Sequence, residues 1–144
     1  VKLRTPLFLV ALVLALSACG ALGGGSKSVF DLEVGDCFDD PTESGEISEV
    51  PIVDCADPHD NEVYAAFDYD GDSFPGDDAM STAADDGCQD RFEDFVGIAY
   101  LDSALYVTHL VPTSDSWDNG DREIICVLYE PNEKLTGSME GAAR

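Results

Sequence analysis

The chain has 144 residues, the size of one domain with its own core, and carries 30 acidic residues against seven basic ones for a formal net charge of −23. A field of that sign repels phosphate backbones and anionic headgroups, which excludes nucleic-acid binding and flat docking of the domain on a membrane. The acids alternate with Phe, Tyr, Val and Ile in strand-like runs, so the composition reads as a folded domain with a solvated acidic surface rather than as disorder.

Residues 1–18 read as a signal peptide. Lys2 and Arg4 form a basic start, 7–16 an apolar core, and Ser17 and Ala18 a small-residue exit. As a helix that core reaches only about 15 Å, half the hydrocarbon thickness of a bilayer, which argues against a spanning anchor. The quartet Leu16-Ser17-Ala18-Cys19 resembles the bacterial lipobox. The resemblance implies that Cys19 becomes the mature N-terminus, carries lipid (diacylglyceryl, palmitate) and holds a lipoprotein on the extracytoplasmic face of the cell membrane, stable attachment requiring two or more chains. Residues 19–28 then form the lipidated cysteine and a flexible tether with three consecutive glycines, reaching roughly 15–18 Å. Beyond Cys19 stand all 30 acids and five basic residues, Lys27, Arg91, Arg122, Lys134 and Arg144, a net charge of −25.

Assigning Cys19 to lipid leaves Cys37, Cys55, Cys88 and Cys126, an even set in an oxidising compartment. Three pairings are possible, and Cys37–Cys55 with Cys88–Cys126 is favoured. The chain-entropy model assigns these loops about 3 and about 4 kcal/mol. No C-x-x-C pair argues for zinc.

The domain is expected over 29–130. Phe30, Leu32 and Val34 alternate with acids as a first strand, followed by a Gly35-Asp36 turn and Cys37-Phe38. Residues 47–55 read as a second strand, with Pro51 marking a sheet edge or a bulge. Val63, Ala65, Phe67 and Tyr69 share one face of a third. A helix begins near Ala79, capped by Asp77 or Asp78, and buries a stripe of Met80, Ala84, Cys88, Phe92, Phe95 and Val96 before Gly97 ends it. Leu105, Val107, His109 and Val111 alternate as a fourth strand, and 123–129 form the fifth and most apolar one, with Cys126 at its centre. Residues 131–144 lack periodicity and read as a loose tail. The order β-β-β-α-β-β predicts an α+β domain: a small, mainly antiparallel sheet with one packed helix and two disulfides.

Few residues offer chemistry. Asp68-Tyr69-Asp70-Gly71-Asp72 starts like a calcium loop, but the sixth and twelfth positions hold Ser73 and Ala79 where Gly and Glu are required. His59, flanked by carboxylates, has the chemistry of an acid/base or a metal ligand, although a histidine so placed more often orders a turn through hydrogen bonds. His109 lies among core positions of a strand. There is no nucleophile elbow, phosphate loop or dinucleotide fingerprint. Asn119-Gly120 is a turn signal that places Trp117 and Arg122 at the strand ends, where they form either a recognition patch or an edge cover.

Gly35-Asp36-Cys37-Phe38, then Val53-x-Cys55-x-x-Pro58-His59-x-x-Glu62-Val63, Cys88, and Pro112-x4-Trp117-x2-Gly120-Asp121-Arg122-x3-Cys126 resemble, in order, the septum-formation-related domain of actinobacterial envelope proteins. The likeness covers roughly 30–130. It implies an exported, membrane-tethered domain associated with division or the envelope, brings no catalytic residues, and supports paired disulfides. His59, Glu62, Trp117, Asp121 and Arg122 occupy its motif positions and are the candidate partner-binding residues. The leading expectation is a non-catalytic lipoprotein module that binds an envelope or division protein and needs no cofactor or metal. The alternatives are an extracellular calcium-binding module, suggested by the charge, and a hydrolase using His59.

Overall fold

The computed structural model describes residues 24–42 and 47–144; the expected signal peptide, Cys19 and the first half of the tether lie outside the described residues. Six strands, β1 (Gly25–Ser28), β2 (Cys37–Phe38), β3 (Glu49–Val53), β4 (Asn61–Asp68), β5 (Tyr106–Leu110) and β6 (Glu123–Tyr129), form one sheet in the order β1-β3-β2-β4-β6-β5. Every pairing is antiparallel. A long helix, α1 (Asp77–Val96), packs on one face, and a short one, α2 (Ser114–Asp118), precedes β6. The expected α+β class, antiparallel sheet, packed helix and two disulfides are all present.

The helix follows from its sequence. Met80, Ala84, Cys88, Phe92 and Val96 recur every fourth residue and are all buried, while the acids between them face water. Each large apolar side chain in this stripe contributes about 1.5–3 kcal/mol by leaving water. The cap differs from expectation: Gly76 takes the position with φ 94°, and Asp77 and Asp78 lie inside the first turn, where their charge favours the positive end of the helix dipole. Gly97 ends the helix in the left-handed conformation. Gly87 is required for a different reason: a Cβ there would meet the Phe67 ring at 2.3 Å, so its absence lets β4 approach the helix.

Cys88 is joined to Cys126 at the middle of β6, and Cys37 at the start of β2 to Cys55 just after β3. The first bond fastens helix to sheet. The second closes the wing β1-β3-β2, which pairs with the main sheet through the two residues of β2 and through backbone bonds of Gly35 and Asp36 to Val63.

Four expectations are corrected. Residues 29–34 are not a strand: Val29–Asp31 form a 3-10 turn that buries Leu32 and leaves Phe30 and Val34 exposed. Half of the expected tether, Gly25–Ser28, is strand β1, which pairs Ser26 with Pro51, so the proline is one strand in from the edge. In β4 the register slips between Val63 and Ala65, which face consecutive residues Val127 and Cys126, and Tyr64 is the extra residue of a bulge. Val63 therefore packs on the face away from α1, with Val127 and Ile125, while Tyr64, Ala65 and Phe67 pack toward the helix. Finally, 131–144 are not loose. Leu135 and Met139 are buried, Leu135 pairs with His59, and the amides of Gly137, Gly141 and Ala143 donate to carbonyls of Cys55, Phe95 and Val96. The backbone bonds to other segments hold this end without any apolar period in its sequence.

An integral tail has a measurable consequence. Leu135→Ala should cost about 2–4 kcal/mol, read as a lower urea midpoint with an unchanged slope. A change within about 0.5 kcal/mol, typical of exposed positions, would restore the loose-tail reading.

Candidate functional site

The motif 53–63 builds a closed polar layer at the joint between the wing and the main sheet. His59 is fully buried; its backbone pairs with Leu135, and its Nδ1 lies 2.8 Å from the Asp57 carbonyl, so Nδ1 carries the proton. Nε2 is buried without a partner. Glu62, also fully buried, accepts from Ser138 Oγ at 2.5 Å and from the Met139 amide at 2.7 Å, which clamps the C-terminal segment. The ligand atoms of Cys37, Cys55 and Glu62 lie within 4.8 Å of one another, the one such grouping among the described residues. Its two sulfurs are bonded to each other, so neither is available as a thiolate. The carboxylates of 68–72 form no such grouping.

The Trp117 corner is likewise internal. Thr113 caps α2 through a reciprocal capping box with Ser116, and Gly120 turns the chain at φ 97° into β6. Trp117 is buried against Tyr69 and Phe74, ring centroids 5.9 and 5.8 Å away. The Arg122 guanidinium lies 3.5 Å from its ring centroid and donates to the carbonyls of Trp117 and Asp121. Asp121 Oδ1 accepts from the Glu123 amide.

The candidate partner-binding set is therefore corrected for His59, Glu62 and Trp117, which lie inside the fold because hydrogen bonding and ring packing hold them there. Asp121 and Arg122 stay half-buried at the surface, but both side chains already organise the turn. His109 links β5 to α1 through Nε2, 3.3 Å from Ser81 Oγ; the Asp85 carboxylate lies 3.3 Å from Nδ1 but makes no hydrogen bond to it.

The open surface lies on the sheet face opposite α1. Tyr106, Thr108 and Leu110 of β5 face Tyr129, Val127 and Ile125 of β6 in register, and Leu110, Val127 and Ile125 belong to the apolar cluster on that side. Two cavities lie along this face, one beside Thr108 and Tyr129 and the other beside Leu110 and Ile125. One, of about 490 Å³, includes Thr108, Tyr129, Asp40, Asp60, Glu130 and Lys134. The other, of about 420 Å³, has a wall of Phe30, Ile47, Leu110 and Ile125 and a rim that includes Asp115, Asp121 and Glu123. Phe30 and Ile47 remain 63% and 40% exposed. Sequence reading assigned Phe30 to an inward strand face and missed this wall, because the 3-10 turn that directs it outward has no periodic signal.

Charge around the two cavities is mostly acidic, with Lys134 the one cation among their lining residues. Lys134 is held by Asp39 and Asp60, at 2.7 and 2.9 Å, and these bonds raise its pKa. Burial pushes the Asp60 carboxyl up, but the Asp40 amide and the Lys134 ammonium outweigh it, and the net displacement is downward. Glu123 moves the other way: burial raises its pKa first, and Asp68, directly opposite on β4, and Asp121 raise it further.

A carboxyl whose pKa is raised on folding binds its proton more tightly in the folded state. Its contribution is most favourable below the unfolded pKa of about 4.3 and is lost as pH rises through the folded value. Glu123→Gln should thus raise the melting temperature at pH 7 by about 1–3 °C, with the difference vanishing near pH 3. A lower melting temperature at pH 7 would show that the ionised carboxylate is instead stabilising.

Comparison with curated proteins and with solved structures finds no match. A family model described as "Septum formation" matches residues 25–143. Its limits coincide with the folded unit, from the first residue of β1 to the segment clamped by Glu62 and the end of α1. The chain belongs to the septum formation family.

Proposed function

We propose that the protein is an exported lipoprotein, anchored to the cell membrane through Cys19, whose folded domain is a non-catalytic module that binds a division or envelope protein. The observation that carries this reading is the family match, which spans the whole folded unit rather than one motif within it. The chemistry of the fold supports the non-catalytic part. His59, Glu62, Trp117 and Arg122 each engage backbone or neighbouring rings of the same chain, in the manner of residues that hold a scaffold. The lipobox-like quartet supports the anchor, and the tether between Cys19 and β1 keeps the domain near the membrane while its charge repels anionic headgroups.

Two measurements test the two halves separately. Cys19→Ala should move the protein out of the membrane fraction or stop its processing, whereas unchanged detergent-phase partitioning would remove the anchor. Crosslinking in intact cells, with identification of the attached chains, should recover a division or envelope protein reproducibly. Failure of the native protein to crosslink to any partner, at expression levels where it is abundant, would remove the interaction reading.

A further inference from the structure

We propose that the trough on the outer sheet face is a docking site for a cationic, amphipathic segment of a partner protein. The inference rests on the reading of the domain as an interaction module and names the chemistry of what it binds. Three independent features agree. The floor is apolar and aromatic and ends at β5, the edge strand, so it is open on one side. From Tyr106 to Leu110 it runs four residues, about 13 Å, the length of a short extended peptide. Phe30, Ile47 and Tyr106, three of the five large hydrophobic side chains left exposed among the described residues, border this face or stand on it.

The charges decide which kind of segment fits. The rims carry Asp115, Asp121 and Glu123 at one end and Asp40, Asp60 and Glu130 at the other. All five cationic side chains beyond Cys19 are already engaged within the chain: Lys27 with Glu33 and Asp36, Lys134 with Asp39 and Asp60, Arg144 with Glu130, Arg91 over Phe67 and Arg122 over Trp117. Lys134 and Arg144 thus pair Asp60 and Glu130 from within, whereas Asp40, Asp115, Asp121 and Glu123 have no ion-pair partner among the described residues, so a cation for these four has to come from outside. A second copy of the chain would bring a net charge of −25 to the same rims, and an acidic peptide or an anionic lipid headgroup would meet the same repulsion. Lysine or arginine beside Glu123 would relieve the crowding of Asp68, Glu123 and Asp121, while an apolar residue between Phe30 and Ile47 would cover the exposed wall.

The test uses the full chain and a fluorescent peptide that alternates Lys with Leu and Phe, followed by anisotropy against a protein-free blank. Two control peptides replace Lys by Glu, or Leu and Phe by Ser. The Lys-Leu-Phe peptide should bind, the controls should bind at least about tenfold more weakly, and binding should weaken on raising salt from about 0.1 M to about 0.5 M. Phe30→Ser with Ile47→Ser, and separately Asp115→Lys, should each weaken binding about tenfold with little change in melting temperature, since all three side chains are exposed. Leu101→Ser, at a 92% exposed position away from the trough, should leave binding unchanged.

Equal binding of either control peptide, or an equal loss from Leu101→Ser, would overturn the proposal. So would displacement of the peptide by millimolar calcium together with full binding of the Ser control, which would make the trough a cation site. A dimer dissolved by the Phe30/Ile47 variant would assign the face to a second copy and also overturn it. If that variant keeps every crosslink formed in cells, the trough is removed and the interaction module stands. A native protein that forms no crosslink removes the module itself.

Discussion

Electrostatic self-repulsion is the constraint this fold has to answer. A domain with 30 carboxylates and five cations gains solubility but loses stability through like-charge crowding, and Glu123 between Asp68 and Asp121 is a local instance. The few cations are placed where they join segments rather than scattered over the surface. Lys27 ties β1 to the turn before β2, Lys134 ties the C-terminal segment to Asp39 and Asp60, and Arg144 ties the chain end to Glu130. Arg91 and Arg122 lie on aromatic faces, where Phe67 and Trp117 hold the cation without a carboxylate. Single exposed ion pairs add little stability, so their main effect is to choose which segments meet.

Cohesion comes from burial and covalent staples. The Cys88–Cys126 bond sits in the apolar cluster between α1 and the sheet, and Tyr64 beside it donates to the Cys88 carbonyl at 2.6 Å. Burial drives the Tyr64 pKa up, which keeps the phenol neutral and a donor. The second cluster, on the opposite face, is smaller: Leu32, Phe38 and Val50 bury Val63, Ile125 and Val127, while Leu110 at its margin stays half-buried. That incomplete cover is what leaves the trough. The bulge at Tyr64 makes both faces apolar in one strand, because a single extra residue reverses which side chains point where.

The buried polar layer links the family motif to the chain end. His59 pairs with Leu135, and Glu62 receives Ser138 and Met139, so residues separated by more than 70 positions close one joint. Removing either partner would leave a buried donor or acceptor unpaired, which costs more than the bond contributes when made. A motif of charged and imidazole side chains has the look of an active site in sequence, and here it acts as a clasp for the backbone.

Much of this domain was set by sequence alone. The fourfold period of the α1 stripe determined the helix and its buried face, the apolar run 123–129 determined β6, and the spacing of four cysteines favoured the pairing that the structure contains. These signals are local: each depends on residues within a turn or a strand of one another. The candidate site was far less legible. Trp117 and Arg122 were identified as a pair, but whether they face water depended on Tyr69 and Phe74 arriving from elsewhere in the chain. Strand β1 and the C-terminal segment were invisible because backbone hydrogen bonds to distant partners, not apolar period, hold them. The trough belongs wholly to tertiary structure. Its floor is the outer face of β5 and β6, its wall is Phe30 and Ile47 from the start of the domain, and its acids come from the loops after β2 and before β4, from α2 and the turn after it, and from β6 and the residue that follows it. No stretch of sequence contains it, since the sheet register and the turn at Val29–Asp31 together decide which side chains share that face.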